Sequence, residues 1–182
     1  MNLPNLISLG RLLAAPIGIW LILGGDLRTT FWLFLAAGVS DAVDGFIAKR
    51  FDSRSDLGAL LDPIADKALI ISMVVTLGIA GYLPTWLVIL VVFRDVLIIG
   101  GFMLSMTVAE PQAWRPLTVS KINTTLQILL VVTVLGHLGL RADDHGLTGL
   151  LIDAVAATTV LSGALYLIRW MRSFASAEEP RS

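Results

Sequence analysis

The sequence predicts an all-α integral membrane protein with six transmembrane helices, and three observations carry that prediction. Hydrophobic residues make up 56% of the 182 residues, charged residues 15%, and the mean hydropathy is +0.84. Soluble domains run at about 45–50% apolar and about 25% charged. Six long apolar stretches are separated by short polar breaks. They lack the alternating polarity of a β-barrel strand, and unpaired backbone groups in lipid force the other kind of span to be helical. At about 20 residues per span, the chain holds one membrane domain over residues 1–173. The small, polar residues 174–182 are expected to form a disordered tail.

The first stretch, 4–25, lacks the basic start and clear small-residue cleavage pattern of a signal peptide. Arg11 also interrupts it, so it is expected to be a retained helix. The run Gly24-Gly25-Asp26-Leu27-Arg28 breaks the chain before the second stretch, 29–50. A basic loop at 50–57 leads to the third, 58–81, and the break at 81–84 leads to the fourth, 84–106. The break at 107–118 precedes the fifth, 119–140, which opens on the polar residues Ser120, Lys121, Asn123, Thr124 and Gln127. The sixth, 147–171, follows the polar break 141–146. Several of the five tryptophans fall near the ends of these stretches, which suits interfacial anchoring. His137 and His145 are expected to be structural.

Six spans put both termini, loop 2–3 and loop 4–5 on one side. That side carries Arg11, Lys49, Arg50, Arg54, Arg115, Lys121, Arg169, Arg172 and Arg181, against Arg28 and Arg141 on the other. The excess predicts cytoplasmic termini. With no cysteine, disulfides, thiolate metal sites and Cys nucleophiles are excluded, and a net charge of −1 gives no argument for a nucleic-acid partner.

The unexpected residues are Asp41, Asp44, Asp62 and Asp66, inside the second and third stretches. An uncompensated Asp at the centre of a span costs about 2.5–3.5 kcal/mol. Asp41 lies about 13 Å along a helix from Arg50, and Asp66 about 15 Å from Asp56, so solvated helix ends do not explain them. At about 100° per residue, Asp44 falls about 60° from Asp41, with Gly45 and Ala48 close by on the wheel. Asp62 falls about 40° from Gly58, and Asp66 a further 40° on. Each helix therefore carries a narrow stripe of carboxylates and very small residues. A short loop makes the two helices candidate antiparallel neighbours, with a four-carboxylate cage and two divalent cations between them. Oxygen donors without Cys or His favour Mg²⁺, Mn²⁺ or Ca²⁺ over zinc. Small residues admit a bulky ligand, although close helix packing uses them equally well.

From Asp41 to Asp66 the chain reads D-A-V-D-G-F-I-A-K-R-F-D-S-R-S-D-L-G-A-L-L-D-P-I-A-D. This resembles the signature of the CDP-alcohol phosphotransferase family, D-x2-D-G-x2-A-R-x8-G-x3-D-x3-D. Asp41, Asp44, Gly45, Ala48, Gly58, Asp62 and Asp66 match in type and spacing, and Lys49 stands where the family usually has Arg. The substitution keeps the charge and loses the bidentate fork. The resemblance implies phosphatidyl transfer from CDP-diacylglycerol to an alcohol, with CMP as leaving group, at a two-metal site (Mg²⁺, or alternatively Mn²⁺) between helices 2 and 3. It implies that Asp41, Asp44 and Asp62 hold one ion and Asp41, Asp62 and Asp66 the other. Asp66 would also be the general base, and Gly45, Ala48, Lys49 and Gly58 would face the CDP portion. A homodimer in the bacterial inner membrane, with the site on the cytoplasmic side, is also implied.

Stretches 2–11, 93–96 and 120–127 look most like the CMP-forming cardiolipin synthases of the family, whose acceptor is phosphatidylglycerol. The related phosphatidylglycerophosphate synthases use glycerol 3-phosphate and tend to have Glu where Asp95 stands. Arg94, Lys121 and Asn123 are the candidate contacts to an anionic acceptor; mutual neutralisation of Arg94 with Asp95 and an interfacial start of the fifth helix are the competing readings. Intramembrane carboxylates also suit a divalent-cation transporter. That alternative is weakened because no related halves are found in the sequence and the carboxylates cluster at one end of two helices.

Overall fold

The computed structural model describes the backbone of residues 3–51, 56–108 and 117–177 and the side chains of residues 9–40, 66–101 and 117–171. Six helices follow one another: α1 (Leu3–Leu23), α2 (Leu27–Phe51), α3 (Asp56–Ile79), α4 (Thr85–Val108), α5 (Thr118–Leu140) and α6 (Leu147–Ala177). Their bounds lie within two residues of the six apolar stretches, apart from the end of α6. That helix runs on to Ala177, into the segment expected to be a disordered tail; Ala175 and Ala177 are good helix formers.

The breaks have physical causes. At Gly25, φ is +79°, the Asp26 N–H donates to the Leu21 carbonyl and the Gly25 N–H to the Ile22 carbonyl. This is a Schellman closure, which needs a left-handed residue. Gly81, at φ +81°, ends α3 in the same way, with Tyr82 N–H on the Leu77 carbonyl. Asp26 then caps α2: its carboxylate accepts from the Thr29 N–H at 3.1 Å and the Thr29 hydroxyl at 2.7 Å. Asp144 serves the start of α6 by accepting from the Thr148 N–H and hydroxyl. His137 Nδ1 meets the Ala142 carbonyl at 2.6 Å in the α5–α6 connection, in keeping with a structural role.

Packing runs in a closed circuit, α1–α2–α5–α6–α4–α3 and back to α1, with α3 also touching α5 across the middle. Met73, Val74 and Leu77 of α3 meet Leu130, Val131, Val134 and Leu135 of α5 and Val155 of α6 in one buried core. Two glycines permit close approaches. Gly18 brings α1 against Met73 of α3 and Leu33 of α2, and a Cβ on Gly139 would lie 2.7 Å from the Leu27 carbonyl oxygen. Among the described residues α1 packs against both α2 and α3; the ends of α2 and α3 that would carry the expected direct contact have side chains outside the described residues.

The outer surface is apolar. Trp20, Ile79, Ile89, Phe93, Leu150 and Met171 are among many large hydrophobic side chains that stand exposed. A bilayer, not water, matches such a surface. Among the described residues, Thr118–Leu140 and Leu147–Met171 are long and apolar enough to cross a membrane, and Leu9–Leu23 and Leu27–Ser40 form shorter apolar helices.

Candidate functional site

Asp66 lies ten residues into α3, and its carboxylate is 41% exposed. Arg11 of α1, 3% exposed, donates from Nη1 to Asp66 Oδ1. A guanidinium buried this deeply in an apolar helix is expensive unless it is paired, and this pairing accounts for the cation that interrupts the first apolar stretch. Arg11 and Asp66 line a cleft of about 120 Å³ with Phe34 of α2, Leu69 and Ile70 of α3 and Thr124 of α5. A second cleft, of about 230 Å³, is lined by Arg11 with other residues of α1 and α2 and reaches Ser40. An ionic pair therefore sits at the meeting of four helices, next to space that can receive a ligand.

Asp41, Asp44 and Asp62, with Gly45, Ala48, Lys49 and Gly58, lie where side chains fall outside the described residues. Their helices are described: Asp41 and Asp44 are in the last part of α2, and Asp62 is four residues before Asp66 in α3. The two segments lie on either side of residues 52–55 in the chain. An all-carboxylate donor set suits Mg²⁺ or Mn²⁺, and Asp66, partly exposed on its cleft, fits a place in it.

A second polar cluster ties α3, α4, α5 and α6 together. Asp95 of α4, 2% exposed, accepts from Lys67 Nζ at 3.0 Å on each oxygen. It also accepts from Arg94 Nη1 at 2.6 Å. Arg94 Nη2 donates to the hydroxyls of Ser120 in α5 and Ser162 in α6, each at 2.6 Å. Arg94 is thus buried among protein partners, as the mutual-neutralisation reading expects, although its network is wider than Asp95 alone. Asn123 is fully buried, and its Oδ1 accepts from the hydroxyls of Thr158 and Thr159 in α6. Lys121 is exposed on the first turn of α5. The three candidate acceptor contacts are therefore not brought together on one surface. From the sequence alone, neither Arg11 nor Lys67 had a place in the site. Each is a cation in an apolar run, and each pairs with a carboxylate on a different helix.

The CDP-alcohol phosphatidyltransferase family model matches residues 1–170. The chain belongs to this family. Its relatives carry two kinds of name. A fission-yeast (Schizosaccharomyces pombe) "Cardiolipin synthase (CMP-forming) / mitochondrial hydrolase fusion protein" is 34% identical over 92% of this chain and 31% of its own length. A rice (Oryza sativa) chloroplastic "CDP-diacylglycerol--glycerol-3-phosphate 3-phosphatidyltransferase 1" is 32% identical over 93% of this chain and 57% of its own length. A "Probable phosphatidylglycerophosphate synthase" of Mycobacterium tuberculosis is 29% identical over 100% of this chain and 87% of its own length. The chain thus spans about a third of the yeast fusion protein and a little over half of the rice enzyme. Family membership places the chain among the CDP-alcohol phosphatidyltransferases, and none of the relatives named here is a transporter.

Proposed function

We propose that the protein transfers the phosphatidyl group of CDP-diacylglycerol to the terminal hydroxyl of phosphatidylglycerol, giving cardiolipin and CMP. The observation that carries this reading is Asp66: a partly exposed carboxylate, paired with buried Arg11 on a cleft among α1, α2, α3 and α5, at the position where the family signature has its general base. The acceptor oxygen attacks the lipid-side phosphorus, the P–O bond to CMP breaks, and the hydroxyl proton passes to the Asp66 carboxylate. Arg11 holds that carboxylate in orientation. Two divalent ions, Mg²⁺ or Mn²⁺, held by Asp41, Asp44, Asp62 and Asp66, would supply neutralisation of the diphosphate and alignment of the attacking oxygen. Gly45, Ala48, Lys49 and Gly58 lie against the CDP portion, where small side chains leave room and the lysine meets phosphate.

Six spans with the carboxylate end facing the cytoplasm suit this chemistry. The donor enters from the bilayer, CMP leaves into water, and the apolar exterior of the helices supports the lipid side. A homodimer is part of the reading and rests on the family resemblance. Lys121 is kept as an acceptor contact, whereas Arg94 and Asn123 are assigned to positioning, since both are engaged by protein hydroxyls. Glycerol 3-phosphate is the second acceptor reading, favoured by the names of the rice and mycobacterial relatives. The test is product analysis after incubation with CDP-diacylglycerol, Mg²⁺ and each acceptor in turn. Cardiolipin from phosphatidylglycerol is expected; phosphatidylglycerophosphate from glycerol 3-phosphate alone would replace the acceptor and keep the family reaction.

A further inference from the structure

Arg11 and Asp66 are held together by the packing of two helices. Arg11 is buried on α1, and its Nη1 donates to Asp66 Oδ1 on α3. Seven positions on from each, Gly18 meets Met73 so closely that a Cβ on Gly18 would overlap the methionine methyl. The equal offsets mean that α1 and α3 run in the same direction. The two contacts, about 10 Å apart along the helices, therefore share one register. Ala14, Ala15 and Gly18 fall within about 60° of Arg11 on the wheel, and both alanines are buried. A strip of small residues thus keeps α1 close to its neighbours, and the guanidinium cannot withdraw from Asp66 to water unless the helices part.

A carboxylate has two oxygens, and here one is engaged by a fixed cation. The group is still 41% exposed and lines its cleft. A divalent ion bound through both oxygens would sit midway between them, shifted toward the guanidinium, where like charges repel. An ion bound through one oxygen can stay on the side away from Arg11. That choice separates two classes of cation. Ca²⁺ takes about 6–8 oxygens and accepts bidentate carboxylates. Mg²⁺ demands a near-ideal octahedron and keeps positions for water and substrate phosphates. We propose that Arg11 limits Asp66 to one metal-facing oxygen and so selects a small octahedral cation, Mg²⁺ or Mn²⁺, against Ca²⁺. This rests on the proposed reading of Asp66 as a metal ligand. Arg11 acts through Asp66 and is a positioning residue.

The test uses the full chain in detergent without substrate. Mn²⁺ binding is followed by electron paramagnetic resonance, with Ca²⁺ and Mg²⁺ titrated as competitors. Arg11→Met is expected to lower the Ca²⁺ midpoint relative to the Mg²⁺ midpoint by about tenfold, because residues that orient a metal ligand carry about 10–100-fold in affinity. Arg11→Lys keeps a cation beside Oδ1 and should retain most of the original preference. A ratio of midpoints in Arg11→Met within about twofold of the unaltered protein's overturns the proposal. A second measurement needs no variant: anomalous diffraction from crystals of the unaltered protein grown with Mn²⁺. It should show Asp66 bound to the ion through one oxygen, with Arg11 on the other. Coordination through both oxygens, or Arg11 displaced from Asp66, overturns the selection mechanism alone. Mn²⁺ bound elsewhere and not at Asp66 would instead overturn the reading of Asp66 as a ligand, and this proposal with it.

Discussion

Removing one charge at a time from the Lys67–Asp95–Arg94 cluster should have unequal consequences. Asp95→Asn is nearly isosteric, but it leaves Arg94, 3% exposed, and Lys67 facing a neutral amide. Breaking a buried pair by deleting one partner costs about 3–5 kcal/mol. Arg94→Met leaves Lys67 on Asp95, a pair that is still neutral, and removes the hydrogen bonds to Asp95, Ser120 and Ser162. That loss is about 1–3 kcal/mol. At about 3 °C per kcal/mol for a chain of this size, the central values correspond to a fall in Tm of roughly 12 °C for Asp95→Asn and roughly 6 °C for Arg94→Met. Thermal unfolding in detergent, followed by tryptophan fluorescence, reads both. The reasoning fails if Arg94→Met unfolds at the lower temperature, or if both variants unfold with the unaltered protein.

Asp66→Asn should abolish acceptor-dependent CMP release and lower Tm, because it removes the carboxylate partner of buried Arg11, while the protein still elutes as folded; normal turnover would remove Asp66 from the mechanism. Gly139→Ala should destabilise by about 1–3 kcal/mol, because its methyl would meet the Leu27 carbonyl carbon and oxygen, which cannot swing aside. Gly100→Ala, with open space around its Cβ, should be neutral or slightly stabilising; the same sign for both, measured by Tm, would refute the α2–α5 contact. Hydrogen bonds from the Thr29 and Thr148 side chains hold the Asp26 and Asp144 carboxyls below their ordinary 3.8. Each contribution is then fully present above that value and is lost as pH falls through the lowered folded one. The double variant Asp26→Asn/Asp144→Asn should show a flatter loss of Tm between about pH 5 and pH 2 and no new slope between about pH 6 and pH 8; an unchanged acid limb would contradict this.

The helices were legible because lipid-facing segments leave a simple record: long apolar runs ended by glycine turns and capped by Asp26 or an equivalent. α6 runs past the expected start of the tail because Phe174-Ala175-Ser176-Ala177, though partly polar, is compatible with helix. The signature from Asp41 to Asp66 was legible because its chemistry lies in one local stretch. Arg11 was not, since its partner lies 55 positions along the chain and no periodicity links them. Lys67 escaped for the same reason, with Asp95 28 positions away. Arg94 was visible as an oddity, but its serine partners on α5 and α6 were not, so its burial could not be told from availability to a ligand.

The most direct measurement of the central claim is CMP release from CDP-diacylglycerol by the purified protein, with acceptor present, before and after removal of divalent cations. The account predicts release that stops on chelation and returns with Mg²⁺ or Mn²⁺. Release that continues without divalent cations, or no release with any glycerol phosphate acceptor, would contradict it.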